Sequence, residues 1–292
     1  MGQKIVGAPG CDLGRKGTKG GDVPGGDRLR SGPVTSHFSS IGIELSSADD
    51  MQALVERVAD EAEYVQVPGG VYLVWSGGDG PELWLQCDAE DNLIGMSPHF
   101  AGPTRMRLGL VAPIERPGQT GLDGALYAWA NPPGDDLEAG DYPLVFDCPD
   151  AARHAELDLP CLATVQLAAF AHHLSVWDSA EDYDRERGED EADLSSRAFI
   201  PAGLLRADDD DDPAPPVSYA IVTGHVLAAE VRQNPLTGTR YQWAALATHG
   251  GTLDVVAELG LVTREIREGS VLSGGFWLSG QIVDDEDELG DA

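Results

Sequence analysis

The segment from Arg105 to Trp129 can be laid without gaps on the segment from Tyr219 to Trp243, and no other feature of the chain narrows its fold as much. Tyr127, Trp129 and Ala130 fall on Tyr241, Trp243 and Ala244, and the turn at Asp123-Gly124 falls on Thr237-Gly238. With a gap the match extends further, placing Val165 to Phe170 over Val271 to Phe276. Each copy reads as a strand, a glycine-containing turn, an aromatic strand, further strands and a closing apolar strand. The repeat predicts a small all-β unit used twice, over residues 103–177 and 217–283, with each unit a small OB-like barrel. Leu162 to Val176 is long enough for a strand or a helix. Its counterpart, Val271 to Ile282, is rich in glycine and serine and decides for strand.

Ahead of the repeat, residues 34–102 read as a β-α-β-β-β module with room for one more strand. His37 to Leu45 alternates as a strand does. Ser46-Ser47 followed by Asp49 and Asp50 marks a helix start, and Met51, Leu54, Val55 and Val58 recur at helical spacing through about Ala62. Tyr64 to Val67, Val71 to Trp75, Glu82 to Gln86 and Leu93 to Ser97 are short, separated by turn residues, and read as a meander. The fold class expected is α+β, mostly β.

The flanks differ in composition. Residues 1–33 hold ten glycines and scattered bases, with no apolar periodicity, and are expected to be a disordered arm. Residues 178–216 are acidic, end in Asp208 to Asp212 and a proline cluster, and read as a linker in which the apolar Ala198 to Leu205 docks on a neighbour. Residues 284–292 read as an acidic, disordered tail.

Fifty acidic side chains against nineteen basic ones give a formal net charge of −31. A nucleic-acid surface needs a basic patch, so that partner is not expected. Such acidity supplies solubility, or attraction to a basic protein partner. Cys11, Cys87, Cys148 and Cys161 form no CxxC pair, which suits reduced thiols in a cytoplasmic protein. No apolar run approaches the roughly 18 residues a membrane helix needs, so no membrane is expected.

No nucleophile elbow, P-loop or strand-linked GxGxxG is present, and no cofactor is expected. Two resemblances bear on function. The order of elements with His37 in the first strand and Glu82 in a later one resembles a half-module of the vicinal-oxygen-chelate superfamily. That resemblance implies His37 and Glu82 as metal ligands of a divalent-metal-dependent enzyme. Asn234-Pro-Leu-Thr-Gly238, read as a hairpin tip, together with the terminal Gly274-Gly-Phe-Trp-Leu-Ser-Gly280, is similar to a group of uncharacterised bacterial proteins. It implies no activity. The reading from the residues is a non-catalytic binding or scaffold protein that engages another protein. Single-strand nucleic-acid binding is the third alternative, with Tyr127, Trp129, Tyr241, Trp243 and Trp277 as candidate binding-surface aromatics.

Overall fold

The computed structural model describes residues 37–186, 195–205 and 214–283. The glycine-rich arm (1–33), the Asp208 to Asp212 run and the acidic tail (284–292) lie outside the described residues.

Helix α1 (Ala48–Glu61) starts at Ser47, which is extended and whose Oγ accepts the Asp50 N–H at 3.1 Å, while Asp49 and Asp50 sit at the positive end of the dipole. Its buried stripe is Leu54, Val55 and Val58. Four strands follow, β1 (Glu63–Val67), β2 (Gly70–Ser76), β3 (Pro81–Asp88) and β4 (Leu93–Phe100), antiparallel and in sequential order. The expected first strand is corrected. His37 to Leu45 forms a 3-10 turn at Ser39–Ile41 and then irregular chain, because Gly42 adopts φ of +76° and cannot continue a strand. The alternation that suggested a strand comes from Ile41 and Ile43 pointing into the core beneath α1. The module is one helix followed by four strands, not β-α-β-β-β.

The second sheet holds β5 (Met106–Pro113), β6 (Ala125–Ala130), β7 (Pro143–Asp147), β8 (Cys161–Trp177), β9 (Ala198–Ile200), β10 (Tyr219–Gln233), β11 (Arg240–Thr248), β12 (Gly251–Glu258) and β13 (Val271–Val283). β5 pairs antiparallel with β6 and β8, and β6 with β7. β10 pairs antiparallel with β11 and β13, and β11 with β12. Each group is closed by the last strand of the other: β7 runs parallel to β13 and β12 parallel to β8. β8 and β13 are antiparallel to each other along the whole register from Val271 opposite Trp177 to Val283 opposite Thr164. The pairings therefore form two five-strand circuits with one common ribbon, β8–β13. The stretch expected as a linker is partly structured, with helix α2 (Ala180–Glu186) and β9, which pairs with β10 and stacks Phe199 on Tyr142 at 4.1 Å.

One apolar cluster, including Leu110, Phe146, Leu167, Val222, Leu246 and Phe276, fills both circuits. A second glues α1 and the first sheet to the outside of β11, β12 and the β8–β13 ribbon through Ile41, Leu83, Phe100, Tyr241, Trp243 and Trp277. The Asn234 to Gly238 hairpin tip between β10 and β11 completes that joint. Asn234, fully buried, donates from Nδ2 to the Ile41 carbonyl at 2.8 Å, and Thr237 Oγ1 donates to the Gly42 carbonyl at 2.6 Å. The Asn234 Oδ1 accepts the Leu236 N–H at 2.8 Å, which fixes the tip itself. Asn234→Ala is expected to lower stability by about 1 to 3 kcal/mol, since buried partners lose their bonds. Hydrogen exchange at residues 41–43 should speed up more than exchange in β8, and equal change in both would show that the tip is not a local clamp.

Candidate functional site

The joint between the first sheet and the second buries a chain of polar side chains. Asp254 on β12 is fully buried, and its Oδ2 accepts the Thr104 N–H at 3.1 Å, the Thr104 hydroxyl at 2.7 Å and the Gln166 amide at 3.0 Å. Its Oδ1 accepts the Trp243 indole N–H at 2.9 Å. Gln166 then presents only its Oε1 to His99, 2.9 Å from Nε2, so His99 carries its proton on Nε2 and accepts from the Ser279 hydroxyl, 2.8 Å away, at Nδ1. Burial pushes the His99 imidazole down to about 4, which keeps it neutral. Gly102 makes room for the chain, because a Cβ there would overlap the Asp254 carboxylate. None of these residues was singled out in the sequence. In the sequence Gln166 between Val165 and Leu167 and Asp254 between Leu253 and Val255 have the alternation of an ordinary solvent-facing strand side, and only the covering first sheet buries them.

The two expected metal ligands have separate surroundings. His37 stacks on Trp277 with ring centroids 4.0 Å apart, and its Nε2 lies 3.0 Å from that of His172. Burial, then the neighbouring His172, push His37 down to about 4. Glu82 Oε2 accepts the Trp84 indole N–H at 2.9 Å and the Gln281 amide at 3.3 Å. Among the described residues no group of three His, Cys, Asp or Glu side chains is placed to hold a metal ion. The structure does not bring His37 and Glu82 into contact, and two donors already engaged elsewhere do not make a three-donor catalytic site.

Burial instead raises the Glu82 carboxyl to about 7 from 4.5, so the folded chain holds that proton more tightly than the unfolded chain. Its stabilising contribution is complete below pH 4.5 and lost as the pH rises through about 7. Glu82→Gln should therefore match the wild type near pH 4 and exceed it by about 1 to 3 kcal/mol at pH 8. Urea melts at the two pH values check this, and an equal difference at both would show that ionisation is not the cause.

A cleft of about 290 Å³ opens between the first sheet and the loops after β5 and β7. Its polar groups are committed to one another. Arg116 pairs with Asp147 at 2.6 Å and donates to Ser218 Oγ and the Pro216 carbonyl, while Gln86 donates to Asp123 at 2.7 Å. Cys148 and Cys161 are free thiols. Burial raises Cys148 well above the ordinary thiol value, the opposite of what a nucleophile needs.

Of the five candidate aromatics, three are corrected as surface groups. Tyr241 is fully buried, and Trp243 and Trp277 are 7% and 9% exposed, because α1 and the first sheet cover that side of β11 and β13. Each buried indole has a carboxylate partner, Asp254 for Trp243 and Asp147 for Trp277. Tyr127 and Trp129 are half-buried on β6, facing away from the core that Ala128 and Ala130 join. Among the described residues neither the Tyr127 hydroxyl nor the Trp129 Nε1 has a hydrogen-bond partner.

No helix among the described residues is long and apolar enough to cross a membrane. No family model, curated protein or solved structure matches the chain.

Proposed function

We propose that the chain is a non-catalytic binding or scaffold protein that engages another protein through the outward side of β6. The observation that carries this reading is the unequal use of one surface. On β11 the aromatic pair Tyr241 and Trp243 is covered by the first sheet and α1 of the same chain, whereas on β6 the matching pair, Tyr127 and Trp129, stays half-buried. In this reading the two circuits are duplicated OB-like barrels. Each runs first, second, third, closing and fourth strand in order, with the closing strand taken from the other copy. In such folds the faces of the second and third strands serve ligands. Nucleic acid fits poorly, since the loop beside Trp129 carries Asp135, Asp136, Glu138 and Asp141 and no base.

The test is capture from a bacterial lysate at low and moderate salt, using wild type and a Tyr127→Ala/Trp129→Ala variant with an unchanged melting temperature. A protein retained by wild type and lost from the variant supports the reading. Retention of nothing, or equal retention by both, overturns it.

A further inference from the structure

We infer that the open edge of β10 pairs with the same edge of a second copy of the chain, as an antiparallel two-fold strand pair centred on Val231. The inference is separate from the docking role of β6. β10 outruns the strands beside it. On one side β11 accompanies it from His225 to Gln233. On the other, β13 leaves it at His225, after which the Ser270 carbonyl accepts the Val226 N–H at 2.8 Å and the Val226 carbonyl accepts the Gly269 N–H at 2.9 Å. Beyond that point the alternation of the strand settles which way its backbone groups point. The Asn234 N–H donates to the Thr239 carbonyl across the hairpin at 2.9 Å, so Arg232, Glu230 and Ala228 also turn their backbone groups to β11, and Gln233, Val231 and Ala229 turn theirs outward. Among the described residues no backbone bond reaches those three from the outer side.

Such an edge is a template for another extended segment, and its side chains say which. Val231 is 47% exposed. Depressions of about 580 and about 450 Å³ flank the edge, one bordered by Asp79 and Pro235 and the other by Val262 and Ile266, and leave room for the side chains of an added strand. A two-fold pairing centred on Glu230 sets that acid against its own copy, and one centred on Arg232 does the same with the base, so both place like charges directly opposite. Centred on Ala229 or Gln233, the pairing gives Glu230 and Arg232 no charge to face. Centred on Val231, it sets Glu230 opposite Arg232 on both sides of the axis, Ala229 opposite Gln233 and Val231 opposite itself, and all three outward residues of each copy gain backbone bonds. Within one chain Arg232 Nε donates to Glu230 at 3.2 Å and Nη1 to the Asp79 carbonyl at 2.9 Å, which holds both charges on the face where those of the second copy arrive. The net charge of −31 keeps copies apart at long range, so the contact forms once salt screens it. A strand pair is a small interface, and the dimer is dissociable.

The test is sedimentation velocity of the full chain from about 5 to about 500 μM in about 0.15 M salt, where repulsion is screened beyond roughly 8 Å; a monomer–dimer equilibrium is expected. Val231→Pro removes an N–H that β11 does not use and should weaken the dimer by about 10-fold or more. Glu230→Arg sets arginine opposite arginine with the backbone intact and serves if the proline variant does not fold. It too should weaken the dimer by about 10-fold, even though it lowers the net charge that keeps copies apart. In the wild type, amide exchange at Ala229, Val231 and Gln233 should slow as concentration rises, while Glu230 and Arg232, already turned to β11, stay unchanged. A chain that is monomeric at about 500 μM overturns the inference, and so does a dimer that neither variant weakens. Slow exchange at the three outward amides that is the same at every concentration would mean that the chain covers its own edge, and overturns it as well.

Discussion

Trp243→Ala is expected to cost about 3 to 5 kcal/mol in denaturant unfolding, as a large aromatic truncated in a core does. The indole is 7% exposed, packs in the cluster that holds the first sheet to the second, carries the Arg232 guanidinium on its face and donates to Asp254. Removal opens a cavity, frees a guanidinium and leaves a carboxylate oxygen short of its donor. The matching Trp129→Ala should cost only about 1 kcal/mol, because that ring is half-buried and makes no such bonds among the described residues. Urea melts of the two variants give the contrast directly, and equal costs would mean that the two copies do not use these positions differently.

Asp254→Asn is the second large effect, at about 2 to 4 kcal/mol. The change looks conservative and is not. Both carboxylate oxygens accept, with three donors on Oδ2 and the Trp243 indole on Oδ1, so an amide must turn its NH2 toward a donor whichever way it is placed. One buried bond is lost and one buried donor is orphaned. Because Asp254 and Trp243 touch, Asp254→Asn combined with Trp243→Phe should depart from additivity by about 0.5 to 3 kcal/mol. Additive costs would remove the indole–carboxylate bond from the account of the joint.

The parts legible in the sequence are those fixed by neighbours in the chain. Ser47 with its two following aspartates starts a helix by local capping, and the Pro68 to Gly70 and Asp88 to Asn92 turns separate strands by local backbone preference. His37 to Leu45 misled because alternation records which side chains are buried and not what buries them; Ile41 and Ile43 meet α1 and a distant hairpin tip instead of a paired strand. The same limit applies to the aromatics. Tyr241 and Tyr127 occupy like positions in the repeat, yet only contacts with residues more than a hundred positions away decide which is covered. Asp254 and His99 stayed hidden because an acid or an imidazole in an apolar strand announces burial only once its donors, from other strands, are in place.

The ribbon formed by β8 and β13 bears on how such a gene can be cut or lengthened. Cleavage between residues 187 and 216 would leave each fragment with its own antiparallel strands but without the strand that seals its circuit. Two such fragments produced together have a reason to reassociate, and either one alone would present raw strand edges to its surroundings. Neither half can therefore be inherited, shuffled or drift in length on its own. A residue inserted in β13 would slip its register against β8, β10 and β7 at once, so the two circuits can change only as one interlocked object.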